Sequence, residues 1–143
     1  MNPYSPQSKI AAYRSVSAHG ATADTHPHAL VLTLFDATLE RVNAARGCME
    51  RGETRRKAGL LHSAVILIAE LRGSLDLQKG GPLAQNLSSL YEYMTRRLMH
   101  ANLNGDTAAV SEVASLLGEI RSAWVAIGPE VRQHTPPAIT SAA

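Results

Sequence analysis

Six histidines, one cysteine and twelve carboxylates are the groups of this chain that could bind a metal or move a proton. His26-Pro27-His28 is the tightest histidine pair. A helix-opening proline separates its two members, and no Cys, Asp or Glu cluster accompanies them. Neither His-Glu-x-x-His nor a paired Glu-x-x-His set occurs, and helical metal sites are built on those spacings. No metal and no other cofactor is therefore expected. His62 and His100 fall at surface or helix-boundary positions. Gly80-Gly81-Pro82 lacks both the Lys-Ser/Thr pair and the preceding strand of a phosphate-cradling loop. Acidic residues are scattered over polar faces and form no pair around a pocket, so no acid–base catalyst is read and the chain is not expected to be an enzyme.

The cations form two groups, Arg51, Arg55, Arg56 and Lys57 in one and Arg96-Arg97 in the other. Neither group is interleaved with aromatics, and no helix-turn-helix recognition pattern appears. A formal charge of +2 is too small to imply nucleic acid by itself. Both groups are read first as solvated faces. Arg55 to Lys57 nevertheless fall in the first turn of a helix, where cations oppose the helix dipole. An acidic partner surface is one possible cause. The alternative function is accordingly a helical regulatory module that binds RNA or an acidic protein through this basic face.

The elements that carry these residues follow from composition and periodicity. Hydrophobic residues make up 45% of the 143, but aromatics only 4%, and Ala and Leu dominate, which favours helices over sheets. Pro27 suits the first turn of a helix, with Thr25 as its cap, and Leu30, Val31, Leu34, Phe35, Leu39, Val42, Ala45 and Met49 keep helical spacing up to Gly52. A second helix starts at Glu53 or Thr54 and carries Leu60, Leu61, Ala64, Val65, Ile68, Leu71 and Leu75. Pro82 opens a third. Asn104-Gly105-Asp106 forms a tight turn whose Asp caps a fourth helix, marked by Val110, Val113, Leu117, Ile120, Trp124 and Ile127 and stopped by Gly128-Pro129. The fold class is all-α: an antiparallel four-helix bundle over 26–128, a short N-terminal helical arm over 1–25 and a disordered C-terminal tail over 129–143. Trp124 is read as core, with a place at the core's edge as the alternative. Cys48 reads as a buried, reduced thiol. No apolar run approaches about 18 residues, so no membrane span is expected, and the polar N-terminus lacks a secretory signal core. A cytoplasmic monomer is expected.

The third helix carries more apolar surface than one core needs. Leu83, Leu87, Leu90, Met94, Leu98 and Ala101 share one stripe, with Tyr93 to one side and Tyr91 and Ala84 to the other. Two tyrosines beside a sufficient Leu/Met stripe suit protein contact. Equally, this helix could be the most central one and touch more neighbours.

At these residues the chain resembles the FliS family of flagellin export chaperones. The motifs are Leu75-Asp76 followed by Gly80-Gly81, Ala84 with Asn86-Leu87, Leu90-Tyr91 with Tyr93-Met94, Arg97-Leu98 and Ala101-Asn102. Pro27-His28 with Leu30-Val31 and Leu34-Phe35-Asp36, and Trp124 with Ile127, extend the likeness over about Ile10 to Ile127. The resemblance implies a non-enzymatic helical bundle that binds the C-terminal segment of flagellin in the cytoplasm. It further implies that the protein prevents premature polymerisation and delivers its client to the flagellar type III export apparatus. On that reading the groove is assigned to Leu87, Leu90, Tyr91, Met94 and Leu98, with the division between groove and core open for each. The arm residues Ile10 and Tyr13, which match family positions implicated in such a role, are expected to cover the groove when the client is absent.

Overall fold

Glycine and proline punctuate the chain into four helices. The computed structural model describes residues 27–133. In it α1 spans Pro27–Arg51, α2 Thr54–Gly73, α3 Gly81–Asn104 and α4 Thr107–Gln133. The arm and the segment past Gln133 lie outside the described residues. Each helix packs against its sequence neighbours, and α4 closes back onto α1. The chain thus forms a four-cornered bundle with α1 diagonal to α3. Cross-links fix the antiparallel sense of the α1–α4 pair: Arg121 Nε meets Asp36 Oδ1 at 2.5 Å, while Arg46, ten residues later on α1, reaches Ser111, ten residues earlier on α4.

The turns follow the local chemistry. Gly52 and Gly105 sit at φ 73° and 66°, in the left-handed region where a side chain is disfavoured. Gly105 N–H donates to the Ala101 carbonyl at 2.8 Å, and Asp106 Oδ1 caps α4 by accepting from Ala109 N–H at 3.2 Å. Between α2 and α3, Asp76 Oδ1 accepts the N–H groups of Gln78 and Lys79. A Cβ at Gly80 would stand 2.5 Å from the Ala84 methyl and 2.8 Å from the Asp76 carbonyl. The Asp76, Gly80 and Ala84 positions of the motif therefore form one close-packed turn.

The core runs the length of the bundle through Phe35, Val42, Leu61, Ile68, Leu71, Met94, Leu98, Val110, Val113 and Leu117. Two expectations are corrected. Helix α4 does not stop at Gly128-Pro129 but continues to Gln133. Pro129 removes one N–H from the ladder, yet a proline need not end a helix held by tertiary contacts on the preceding turn. Here Gly128 packs against the His28 ring, so its missing side chain serves a close approach. Trp124 is only half buried and takes the edge position instead of the core, with its indole N–H donating to the His28 carbonyl at 2.9 Å.

Candidate functional site

The buried face of α3 is turned from the stripe read in the sequence. Ala84, Ser88, Tyr91, Met94, Leu98 and Ala101 are buried, whereas Leu83 is 69% exposed. At 100° per residue the true core face is centred roughly 50° from the expected stripe, toward Tyr91. Ser88 explains the error. A serine in the core face reads as polar, but its Oγ accepts from Arg72 Nε at 2.8 Å, so its burial is satisfied.

This rotation leaves a shallow apolar seam on the surface between α2 and α3. Its larger hollow, about 630 Å³, is lined by Val65, Ile68 and Ala69 from α2 and by Ser88, Tyr91 and Thr95 from α3, with Leu77, Arg72, Glu92 and Arg96 around it. A second hollow of about 400 Å³ lies toward the other end of the bundle, between Leu61, His62 and Val65 on one side and Leu98, Met99 and Leu103 on the other. Val65 belongs to both, so the two hollows form one seam. From Leu61 to Arg72 it runs roughly 16 Å along α2. Met99 and Leu103 stand 57% and 84% exposed on it.

The seam divides the five groove residues expected on α3. Tyr91 lines the larger hollow and Leu98 the smaller. Met94 is fully buried and is a core side chain in this structure, so it is corrected out of the groove wall. Leu87 and Leu90 are half buried against the core and line neither hollow. Ile10 and Tyr13 lie outside the described residues. The α2 wall was missed because Val65 belongs to an ordinary core stripe. Met99 and Leu103 did carry a signal: two large hydrophobic residues four apart on the otherwise polar side of a helix.

The two tyrosines have different surroundings. Burial pushes the Tyr91 phenol up to about 12, and its hydroxyl makes no hydrogen bond among the described residues. Tyr93 faces α4, where its hydroxyl donates to Glu112 Oε2 at 2.7 Å and Arg97 Nε donates to Oε1 at 2.8 Å. The Tyr93 hydrogen bond, and then that of Arg97, hold the Glu112 carboxyl below its ordinary value, and the same hydrogen bond raises Tyr93. Tyr93 therefore joins α3 to α4, while Tyr91 underlies the seam.

The basic cluster does not form one accessible patch. Lys57 is 8% exposed, and its Nζ donates to the Asn102 carbonyl at 3.1 Å. That carbonyl belongs to the last turn of α3, where helix carbonyls lack partners and a cation is favoured. The apparent cost to α2 of a lysine in its first turn is offset at the end of α3. Arg51 pairs with Glu53 at 2.6 Å, which leaves Arg55 and Arg56 exposed without an ion pair among the described residues. Among the described residues no group of His, Cys, Asp or Glu could hold a metal ion, and no helix is long and apolar enough to cross a membrane.

An apolar seam on a helical bundle suits the binding of another chain, and the comparisons with known proteins identify the family. A family model described as flagellar protein FliS matches residues 9–131. The chain is similar to the flagellar secretion chaperone FliSB of Pseudomonas aeruginosa, 44% identical over 112 residues that cover 78% of this chain and 89% of the relative. It is similar also to the flagellar secretion chaperones FliS of Salmonella typhimurium, at 42% over 86% of this chain and 92% of the relative, and of Bacillus subtilis, at 32% over 86% and 84%. Matched by the family model over residues 9–131 and by relatives 44% and 42% identical over most of its length, the chain belongs to the FliS family, whose members are chaperones and not enzymes.

Proposed function

We propose that this protein is a cytoplasmic flagellar export chaperone that binds the C-terminal segment of flagellin along the α2–α3 seam. The observation that carries this reading is the pre-formed, continuous apolar surface joining Tyr91, Val65 and Leu98. A client that is disordered when free loses conformational entropy on binding, roughly 2–5 kcal/mol for such coupled folding, so a surface already shaped by the bundle favours capture. Laying an amphipathic helix into a groove is the recognition mode that such a surface suits. While held, the client segment is unable to pair with other flagellin molecules, which prevents early polymerisation, and the monomeric complex delivers it to the export apparatus. The arm residues Ile10 and Tyr13 compete for the same surface when no client is present. Calorimetric titration with the C-terminal segment of the organism's own flagellin tests the reading. Saturable one-to-one binding is expected, and the absence of binding overturns it.

A further inference from the structure

We infer that the seam selects a helical client with two apolar anchors seven residues apart and an acidic flank beside one of them. The inference rests on the reading of the seam as the client surface and adds the chemistry of what it accepts.

Spacing comes from the two hollows. On α2 Ala69 lines the larger and His62 the smaller; on α3 Tyr91 lines the larger and Leu98 the smaller. Both steps are seven residues, two helical turns, or roughly 10 Å. A helix laid along the seam presents side chains i and i+7 on one face at that same separation. An extended client could cover the distance in about three residues. Its backbone, however, would find no partners here, because both walls are helices whose own N–H and C=O groups are engaged internally. A helical client brings its backbone already satisfied.

The charges on the seam are unequal. Around the larger hollow stand Arg72, Arg96 and Glu92. Arg72 is engaged, with its Nη2 2.9 Å from Glu92 Oε1 and its Nε on Ser88. Arg96 is exposed and has no ion pair among the described residues. The larger hollow thus carries one surplus positive charge. The smaller is lined by Leu61, His62, Val65, Leu98, Met99, Asn102 and Leu103, with no carboxylate and no arginine. A carboxylate on the client next to the anchor in the larger hollow meets the Arg96 guanidinium, and a cation there is repelled.

Two designed peptides, with a spacing variant, test this without flagellin. Each is a labelled, alanine-based helix of 18 residues with Leu at two positions seven apart, carrying either Glu or Lys at the positions flanking the anchors. Fluorescence anisotropy against the full-length protein is expected to show the Glu peptide binding about fivefold or more tighter than the Lys peptide. In Arg96→Glu, an exposed position whose change leaves the core intact, the preference is expected to reverse. Moving the second Leu from seven to five residues away is expected to weaken binding about tenfold, because it leaves the contact face. No detectable binding, equal binding of the two peptides, a preference unmoved in Arg96→Glu, or indifference to anchor spacing overturns the inference. Parallel titration with the flagellin segment separates the two readings. Flagellin binding with no peptide discrimination defeats the inference alone, and peptide discrimination without flagellin binding defeats the proposed client alone.

Discussion

His28 and Trp124 hold the two ends of the chain's helical region together by a reciprocal contact. Their rings stack 4.7 Å apart and 7° from parallel. The indole N–H of Trp124 donates to the His28 carbonyl at 2.9 Å, and His28 Nε2 lies 2.6 Å from the Trp124 carbonyl. A carbonyl only accepts, so Nε2 carries the proton. The first turn of α1 is thereby fastened to the late turns of α4, next to the point where the arm joins the bundle. Trp124→Ala is expected to destabilise the fold by about 2–3 kcal/mol, less than for a fully buried Trp, and to lower Tm by roughly 10 °C. Trp124→Phe keeps a ring to stack but loses one hydrogen bond, about 1 kcal/mol. Urea unfolding followed by circular dichroism measures both, and a Trp124→Ala midpoint equal to wild type contradicts the contact.

The glycine behind that contact gives a second expectation, with a sign opposite to helix propensity. Alanine is better than glycine in a helix interior by about 1 kcal/mol. At Gly118 an added Cβ meets nothing within 4 Å, so Gly118→Ala is expected to stabilise by about 0.5–1 kcal/mol. At Gly128 the same atom would stand 2.5 Å from His28 Cε1 and 2.9 Å from Nε2, inside any real contact. Gly128→Ala must displace a ring that is both stacked and hydrogen-bonded, and is expected to destabilise. Thermal melts of the two variants check the opposite signs.

Glu112 makes stability depend on acid. Its carboxyl is held below the ordinary glutamate value of 4.5 by the hydrogen bonds of Tyr93 and Arg97. A depressed folded-state value means that its contribution is complete above that ordinary value and is lost as pH falls through the depressed one. Glu112→Gln should therefore be less stable than wild type at neutral pH, with the difference closing as pH drops below about 4. Urea midpoints at several pH values test this, and a difference constant down to pH about 3 contradicts the network.

Several features of the fold were legible because single residues dictate them. Gly52, Pro82 and Gly105 mark helix ends through fixed or left-handed backbone angles, and the structure ends its helices there; Pro27 is the first described residue of α1. Gly128-Pro129 carries the same local signal and misleads, because the glycine is required by the His28 ring across the bundle. Periodicity located the apolar half of α3 but not its rotation, since Ser88 is buried through a partner, Arg72, that only tertiary structure supplies; Lys57 on α2 is buried in the same way, against the Asn102 carbonyl. For the same reason half of the candidate groove was not legible. The seam is made by the rims of two helices, and its α2 wall is invisible from α3 alone.

If the arm competes with the client and is docked 99% of the time, the apparent affinity is about a hundredfold below that of an open groove. Deletion of residues 1–17 is then expected to tighten flagellin binding. Unchanged or weaker binding instead means that the arm is idle or contacts flagellin itself.

The most direct test places charge in both hollows without disturbing the core. Ala69 and Met99 are exposed seam residues, one in each hollow, whereas Tyr91 is 3% exposed and its substitution by Asp would damage the fold. Calorimetric titration of the flagellin C-terminal segment into wild type and into the Ala69→Glu/Met99→Glu variant compares the two seams directly. Saturable binding by wild type is expected, with affinity reduced about fiftyfold or more in the variant while its helical spectrum and melting temperature stay the same. Equal affinity in a folded variant would contradict the assignment of the client to the α2–α3 seam.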